Sequence, residues 1–372
     1  MADRLRVGII GASPDRGWAA RAHIPALHAL PDFELTAVGT SRRESAERAA
    51  REFGAEYAFT DASALAEHPE VDLVVITVKV PAHAELIGAA LAAGKHVYSE
   101  WPLTRTTSEA EAIVAAAAAA PGRHVVGLQA RFAPAVQRAR ELLAEGHVGE
   151  PVSATVYSSR GKGAGGRIPQ WAAYTLDRDN AAGLLEVAGG HTLDPLEYLL
   201  GGLTELSADL AIRNSHNTVL ETGERVRATS PDHLLLNARI GEVVVSAHLH
   251  DAKLTGAHTR IEISGTAGDL VLANDTAAGA PGLHAGGIQM SDLTLLASRP
   301  DGSWQDLTPA DPAPLASLPV ESRNVARFYA RLAEDITGAD TVPSFETGLR
   351  MHRILDVIRR SADSGARQPI PN

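Results

Sequence analysis

A hydrophobic strand, a glycine turn and a helix open this chain, and that βα rhythm then repeats through roughly the first 150 residues, a pattern that demands a parallel sheet with helices on both faces. Leu5 to Ile10 reads as a buried strand running into Gly11, Trp18 to Leu30 as a helix, and Glu34 to Thr40 as the second strand. Glu44 to Phe53 is helical, with Arg and Glu outward. Val71 to Val78 is nearly all β-branched, as a strand buried on both faces should be. Pro81 to Ala93 reads as a helix stopped by Gly94, and His96 to Ser99 as a strand. Ser108 to Ala120 is an alanine-rich helix closed by Pro121-Gly122, His124 to Leu128 a further strand, and Pro134 to Glu145 a linking helix.

Past Pro151 the texture changes. Val152 to Ser159 alternates like a half-exposed strand and leads into a loop rich in glycine (Gly161, Gly163, Gly165, Gly166). Leu193 to Leu200 reads as a helix. His233 to Ile240, Val243 to His250, Arg260 to Ser264 and Asp269 to Ala273 alternate again, which predicts a mostly antiparallel sheet open on one face. Gly279 to Gly287 and Thr308 to Pro319 read as loops, and Asn324 to Gly338 and Ser344 to Ser364 as closing helices. A length of 372 residues is more than one core usually holds. The expectation is a Rossmann-type α/β domain over residues 1–130 and an α+β domain with a large, open-faced sheet over 131–372.

Composition excludes several roles. No run approaches the roughly 20 apolar residues that span a bilayer, and the first strand follows the start with no leader pattern ahead of it. There is no cysteine, which removes disulfides, thiolate nucleophiles and thiolate metal ligands together. A cytoplasmic protein is the expectation. The formal charge of −11, with basic residues scattered, argues against nucleic acid. The 15 histidines show no helical H-x-x-x-H pair and no cluster with carboxylates at ligand spacing, so no metal is expected.

The first turn carries the cofactor argument. A pyrophosphate needs a tight turn and a helix N-terminus offering bare N–H groups. Gly11-Ala12-Ser13-Pro14-Asp15-Arg16-Gly17-Trp18 departs from G-x-G-x-x-G, with Ser13 at the middle glycine and Gly17 one residue late. The second strand ends in Thr40-Ser41-Arg42-Arg43 rather than an acid, and guanidinium beside hydroxyl suits a 2′-phosphate, so NADP is expected over NAD.

Several segments then stand in a characteristic order: Gly11 to Trp18, His23-Ile24-Pro25, Val78 to His83, Glu100-Trp101-Pro102, Gln129-Ala130-Arg131 and Gly190-His191-Thr192-Leu193-Asp194. By these the chain resembles the glucose–fructose oxidoreductase and inositol dehydrogenase (Gfo/Idh/MocA) family over essentially its whole length. Gly17-Trp18, Pro231-Asp232-His233-Leu234-Leu235 and Gly265-Thr266-Ala267-Gly268-Asp269-Leu270 resemble the branch that contains the fungal regulator of galactose metabolism. The resemblance implies assembly into dimers or tetramers through the C-terminal sheet. It also implies a Lys, an Asp and a His around the reacting carbinol. By position these are Trp101, Val187 and His191, so only the His survives.

Gly11, Ser13, Arg16, Gly17, Trp18, Ser41, Arg42, Lys79, His83, Glu100, Trp101 and Gln129 are the candidate cofactor residues. Arg167, Trp171, Asp177 and His191 are candidates for binding substrate. His191 is the candidate base, with Asp194 one turn on able to orient it. Tyr174, activated by the nearby cation Lys162, is the candidate replacement proton donor, because a phenol beside a cation loses its proton more readily. Two functions follow. One is NAD(P)-dependent oxidation or reduction of a sugar, cyclitol or related polyol. The other is a non-catalytic NAD(P)-binding sensor, since an indole cannot titrate as the lost Lys does.

Overall fold

The computed structural model describes residues 4–255, 257–274 and 287–371. It divides into two compact units, Met1–Gln129 with Pro312–Arg350, and Ala130–Asp311 with Met351–Asn372. The expected single cut at residue 130 thus omits a return. The reason lies in the helix Val320–Ile336, where Val325, Phe328, Tyr329 and Leu332 form an apolar stripe at helical spacing and are fully buried. Tyr98 stacks on Phe328 with centroids 4.6 Å apart, and Tyr329 lies 5.2 Å from Phe33. The helix completes the core of the first unit although it is far away in sequence.

The first unit is built on six parallel strands in the order Tyr57–Phe59, Phe33–Gly39, Leu5–Ile10, Leu73–Ile76, His96–Glu100 and His124–Gly127. Leu5 pairs with Phe33 and Val7 with Leu73, so the first strand lies between two neighbours from which the chain departs in opposite directions. That reversal opens a crevice at the strand carboxyl ends, where ligands of such sheets bind. Val7, Ile9, Val74, Val75 and Ile76 have no exposure, which is why these strands read as continuous apolar runs. The strand Tyr57–Phe59 and the helix Ala62–Glu67, capped by Asp61, were not expected from the sequence. The helix after the first turn is shorter than expected: a π-helical turn over Ala19–His23 passes into Ile24–His28.

The second unit holds a nine-stranded sheet in the order Trp304–Asp306, Thr294–Ser298, Asp269–Asn274, His258–Gly265, Pro151–Ser159, Val243–His250, His233–Ile240, Glu205–Ala211 and Gln368–Pro369. Pairing is antiparallel throughout, except where Pro151–Ser159 lies parallel to Val243–His250. Leu234, Leu236, Ala238 and Ile240 are buried while Leu235 is 44% exposed, so one face makes the core and the other faces out. A π-helical turn over Leu184–Gly189 packs on the inner face of the strands His233–Ile240 and Val243–His250, and runs into the helix Gly190–Leu200. This helix begins earlier than expected. A separate three-stranded sheet joins Arg167–Ile168, His216–Val219 and Arg225–Arg227 around a small core of Ile168, Ala172 and Val219. These short strands, and the strands Glu205–Ala211, Thr294–Ser298 and Trp304–Asp306, gave too little periodicity to be read in advance. The expected loop from Gly279 lies outside the described residues up to Gly287.

Candidate functional site

In the first unit the turn after the opening strand is sterically dictated. Gly11 has φ +100°, and a Cβ there would lie 2.8 Å from Thr77 Oγ1 and 2.9 Å from Val78 Cγ1. Any side chain would collide with Thr77 and Val78, so only glycine closes this turn. Gly17 has φ +125° and only Gly11 O near its would-be Cβ, at 3.9 Å, so its role is conformational. The helix beyond has Trp18 at its N-cap and no side-chain cap. Ser13 N–H donates to Gly11 O at 2.9 Å, Arg16 is exposed, and the Trp18 indole Nε1 is buried with no partner. Asp15 is ion-paired with Arg48, which ties the loop to the helix Arg43–Phe53. This is a tight turn between strand and helix, with one orphaned donor, the Trp18 indole N–H, in it.

The second strand's end separates its two arginines. Arg43 is taken by Glu47, 2.6 Å away, whereas Arg42 is exposed at the N-cap of its helix, beside the exposed Ser41. Lys79 is exposed just past the strand Leu73–Ile76. Gln129 is 1% exposed, and neither its amide oxygen nor its amide nitrogen has a partner.

The other candidates on this side are packed into the unit. His83 is buried, with Nδ1 2.8 Å from Pro102 O and Nε2 3.0 Å from Val78 O, so it brackets two loops at the strand ends. Burial pushes its pKa down although both carbonyls favour the cation. Glu100 accepts from His23 Nε2 at 2.9 Å, and His23 Nδ1 faces Tyr329 Oη at 2.7 Å. The three side chains form one buried hydrogen-bonded chain. A Cβ on Gly127 would meet Glu100 Oε1 at 2.9 Å, so this carboxylate is packed into the sheet. Trp101, 4% exposed, follows it and precedes a cis proline bond. Neither His23 nor Tyr329 was assigned a role from the sequence. Nothing in the spacing joins residue 23 to residue 329.

In the second unit the helix Gly190–Leu200 carries His191, 4% exposed, with Nδ1 unpartnered. Burial, and then the Arg160 guanidinium, hold its pKa down to about 3, so the ring is neutral at physiological pH. Asp194 does not orient it. Its carboxylate is fully buried and takes Arg131 Nε at 2.9 and 2.8 Å, as one turn of helix directs the two side chains apart. Lys162 sits in the glycine-rich loop at 9% exposure, and burial, with Arg160 adding to it, lowers its pKa to about 8 against the opposing pull of Asp251 and Glu186.

Tyr174 departs from expectation. Burial pushes its phenol up, the opposite of activation by a cation. Arg167 is exposed on its short strand, and Trp171 is 39% exposed. Asp177 is used in a turn, accepting from Asp179 N at 3.1 Å and Thr229 Oγ1 at 3.2 Å. None of these four lines the small cavity beside Lys162. That cavity, of about 20 Å³, is walled by Lys162, Thr175, Asn217, Ser230, Asp232 and Asp251 among others. Sequence reasoning missed Arg160 and Asp251. They directly follow the ends of two paired strands, where Arg160 N–H donates to His250 O, and their side chains form a doubly bonded buried pair at 2.7 and 2.9 Å. Only the strand register reveals that they meet. Among the described residues no group of three His, Asp or Glu side chains could hold a metal ion, and no helix is long and apolar enough to cross a membrane.

Comparison with known proteins places this geometry. Residues 5–128 match an oxidoreductase family with an NAD-binding Rossmann fold, and residues 134–274 match the C-terminal domain of Gal80p. The dehydrogenase aclE of Aspergillus oryzae is 29% identical, over 98% of each chain. A 1,5-anhydro-D-fructose reductase of Ensifer adhaerens is 31% identical, over 72% of this chain and 75% of its own. A crystal structure of a super-repressor mutant of Gal80p from Saccharomyces cerevisiae superposes with a TM-score of 0.86, covering 99% of this chain and 98% of that one at 24% identity. The chain belongs to the Gfo/Idh/MocA oxidoreductase family.

Proposed function

We propose that this member of the family is an NAD(P)-dependent oxidoreductase acting on a sugar, cyclitol or related polyol, with NADP preferred. The observation that carries the reading is His191: a buried, neutral imidazole with one unpartnered nitrogen, on the segment that matches the family's active-site motif. Gly11, Ser13, Gly17, Trp18, Lys79 and Gln129 would hold the dinucleotide, and the exposed Arg42 with Ser41 would take a 2′-phosphate. The bound nicotinamide supplies the hydride acceptor or donor.

Every other task falls to side chains of this chain. His191 Nδ1 accepts a hydrogen bond, and then the proton, from the substrate hydroxyl being oxidised. Lys162 adds a buried positive charge in the second unit, and Trp101 would occupy the position at which the family carries its Lys. Tyr174 is left with a structural role.

A second reading, the non-catalytic sensor, is favoured by Trp101 in place of Lys, by Val187 in place of Asp, and by the match of residues 134–274 to the Gal80p C-terminal domain. One experiment separates the two. Tryptophan fluorescence titration with NADPH and NADH measures cofactor binding, and the saturated protein is then mixed with a panel of sugars, cyclitols and sugar acids while reduced-nicotinamide absorbance is followed. Cofactor binding with turnover supports the enzyme. Tight cofactor binding with no absorbance change across the panel would overturn it in favour of the sensor.

A further inference from the structure

Around Lys162 each acid already has its donors. Arg160 bonds both oxygens of Asp251. Glu186 takes Arg359 Nη2 at 2.8 Å and Gly183 N–H at 3.1 Å. Asp232 takes the N–H groups of Arg213 and Asn214, both at 2.8 Å, and His233 Nδ1 at 2.8 Å. Lys162 Nζ, by contrast, has one long hydrogen bond, to Ala182 O at 3.4 Å. A buried ammonium with three donors and one weak acceptor is an unsatisfied cation.

The same cavity holds two more orphans. Ser230 Oγ and Asn217 Oδ1 are buried without partners, in side chains 5% and 1% exposed. Together they ask for something specific: an acceptor carrying negative charge for Lys162 and the serine hydroxyl, and a donor for the asparagine oxygen. A carboxylate with a hydroxyl on the next carbon meets all three demands. The cavity is small, about 20 Å³, so a ligand would present one end to these three groups and keep the rest of its frame outside.

We propose that Lys162, Ser230 and Asn217 form a receptor for the acid end of a polyhydroxy carboxylate, so that the ligand class is sugar acids rather than neutral polyols. Lys162 and Ser230 Oγ–H donate to the carboxylate, and the neighbouring hydroxyl donates to Asn217 Oδ1. The negative charge also acts on His191, whose basicity is suppressed by burial and by Arg160 in the free protein. An anion in the cavity offsets that positive field and makes the imidazole a better proton acceptor only when the matching substrate is present. This deepens the oxidoreductase reading, on which it rests for the role of His191.

Binding tests it without turnover. Isothermal titration of the NADPH-saturated protein with D-gluconate, D-glucuronate, D-glucose and D-glucose 6-phosphate should give the two carboxylates at least about tenfold tighter than glucose, the range of a charge-assisted hydrogen bond. Lys162→Met should remove that preference while leaving the NADPH affinity unchanged, and Ser230→Ala should weaken it severalfold. In the wild type, the preference should fade as pH rises through about 8, where Lys162 loses its proton. That pH series and Ser230→Ala keep the proposal testable should Lys162→Met fail to fold. Equal binding of glucose and gluconate, tighter binding of the phosphate than of both carboxylates, or a carboxylate preference that survives Lys162→Met would each overturn it. Turnover of neutral sugars without acid preference would sink this proposal and keep the oxidoreductase. Acid binding without turnover would do the reverse.

Discussion

Two glycine-rich turns leave strands in this chain, one after Ile10 and one after Ser159, and they are built to opposite specifications. At Gly11 the positive φ comes with crowding, since a Cβ would sit under 3 Å from Thr77 and Val78. In the second turn Gly163, Gly165 and Gly166 also have positive φ, but their nearest neighbours would be 3.2 to 3.6 Å from a Cβ. The first turn is packed so closely against the neighbouring strand end that only glycine fits. The second is a roomier bend that carries Lys162 into a buried position. The first turn is defined by its backbone, and the second by the charge cluster beneath it.

Substitutions at the two turns should therefore fail in different ways. The largest loss of stability is expected below the second turn. Asp251→Ala leaves Arg160 buried without its partner, which should cost about 3–5 kcal/mol in urea-induced unfolding of the second unit. A small cost would mean that the pair is not the support of this turn. At the first turn, Gly11→Ala should weaken NADPH binding about 100-fold by fluorescence titration, because strain and overpacking fall where the pyrophosphate lies. Near-normal affinity there would erase the contrast between the two turns.

The next effect is read through pH. His191 is held neutral by a depressed pKa, about 3 in the folded chain against about 6.5 when unfolded. The unfolded state therefore binds the extra proton, and folding stability falls as pH drops from about 6.5 toward 3. Relative to His191→Gln, the wild type should lose about 2 kcal/mol between pH 6.5 and 5 in denaturant titrations. A parallel loss in both proteins would place the imidazole in water. The smallest effect is Gly163→Ala, which should cost about 1 kcal/mol from the left-handed backbone alone and leave NADPH affinity untouched.

The two halves also differ in how far they could be read in advance. Leu5–Ile10, Leu73–Ile76 and His96–Glu100 announce themselves because strands buried on both faces must be continuously apolar. Gly11 could be named from its place between a strand and a helix. The polar half resisted. Tyr174, Arg167, Trp171 and Asp177 have suitable chemistry and lie in the right stretch, yet none reaches the cavity. Arg160, Asn217, Ser230 and Asp251 form or flank it, and they are scattered over some ninety positions, 160 to 251. Asp194 shows the same limit at short range: one helical turn from His191, it faces Arg131 instead.

The sequence by itself determined the parallel sheet, its glycine turn and the later open-faced sheet. Each of these depends on contacts between near neighbours or on a repeat that any short window displays. Tertiary structure alone decided that the helix Val320–Ile336 belongs with the first unit, that Glu100 is held by His23, and that Lys162 is left without a carboxylate of its own. Those outcomes depend on strand register and on which buried charges find partners first, and burial makes each pairing or its absence cost several kcal/mol. A linear string carries the charges but not the distances between them.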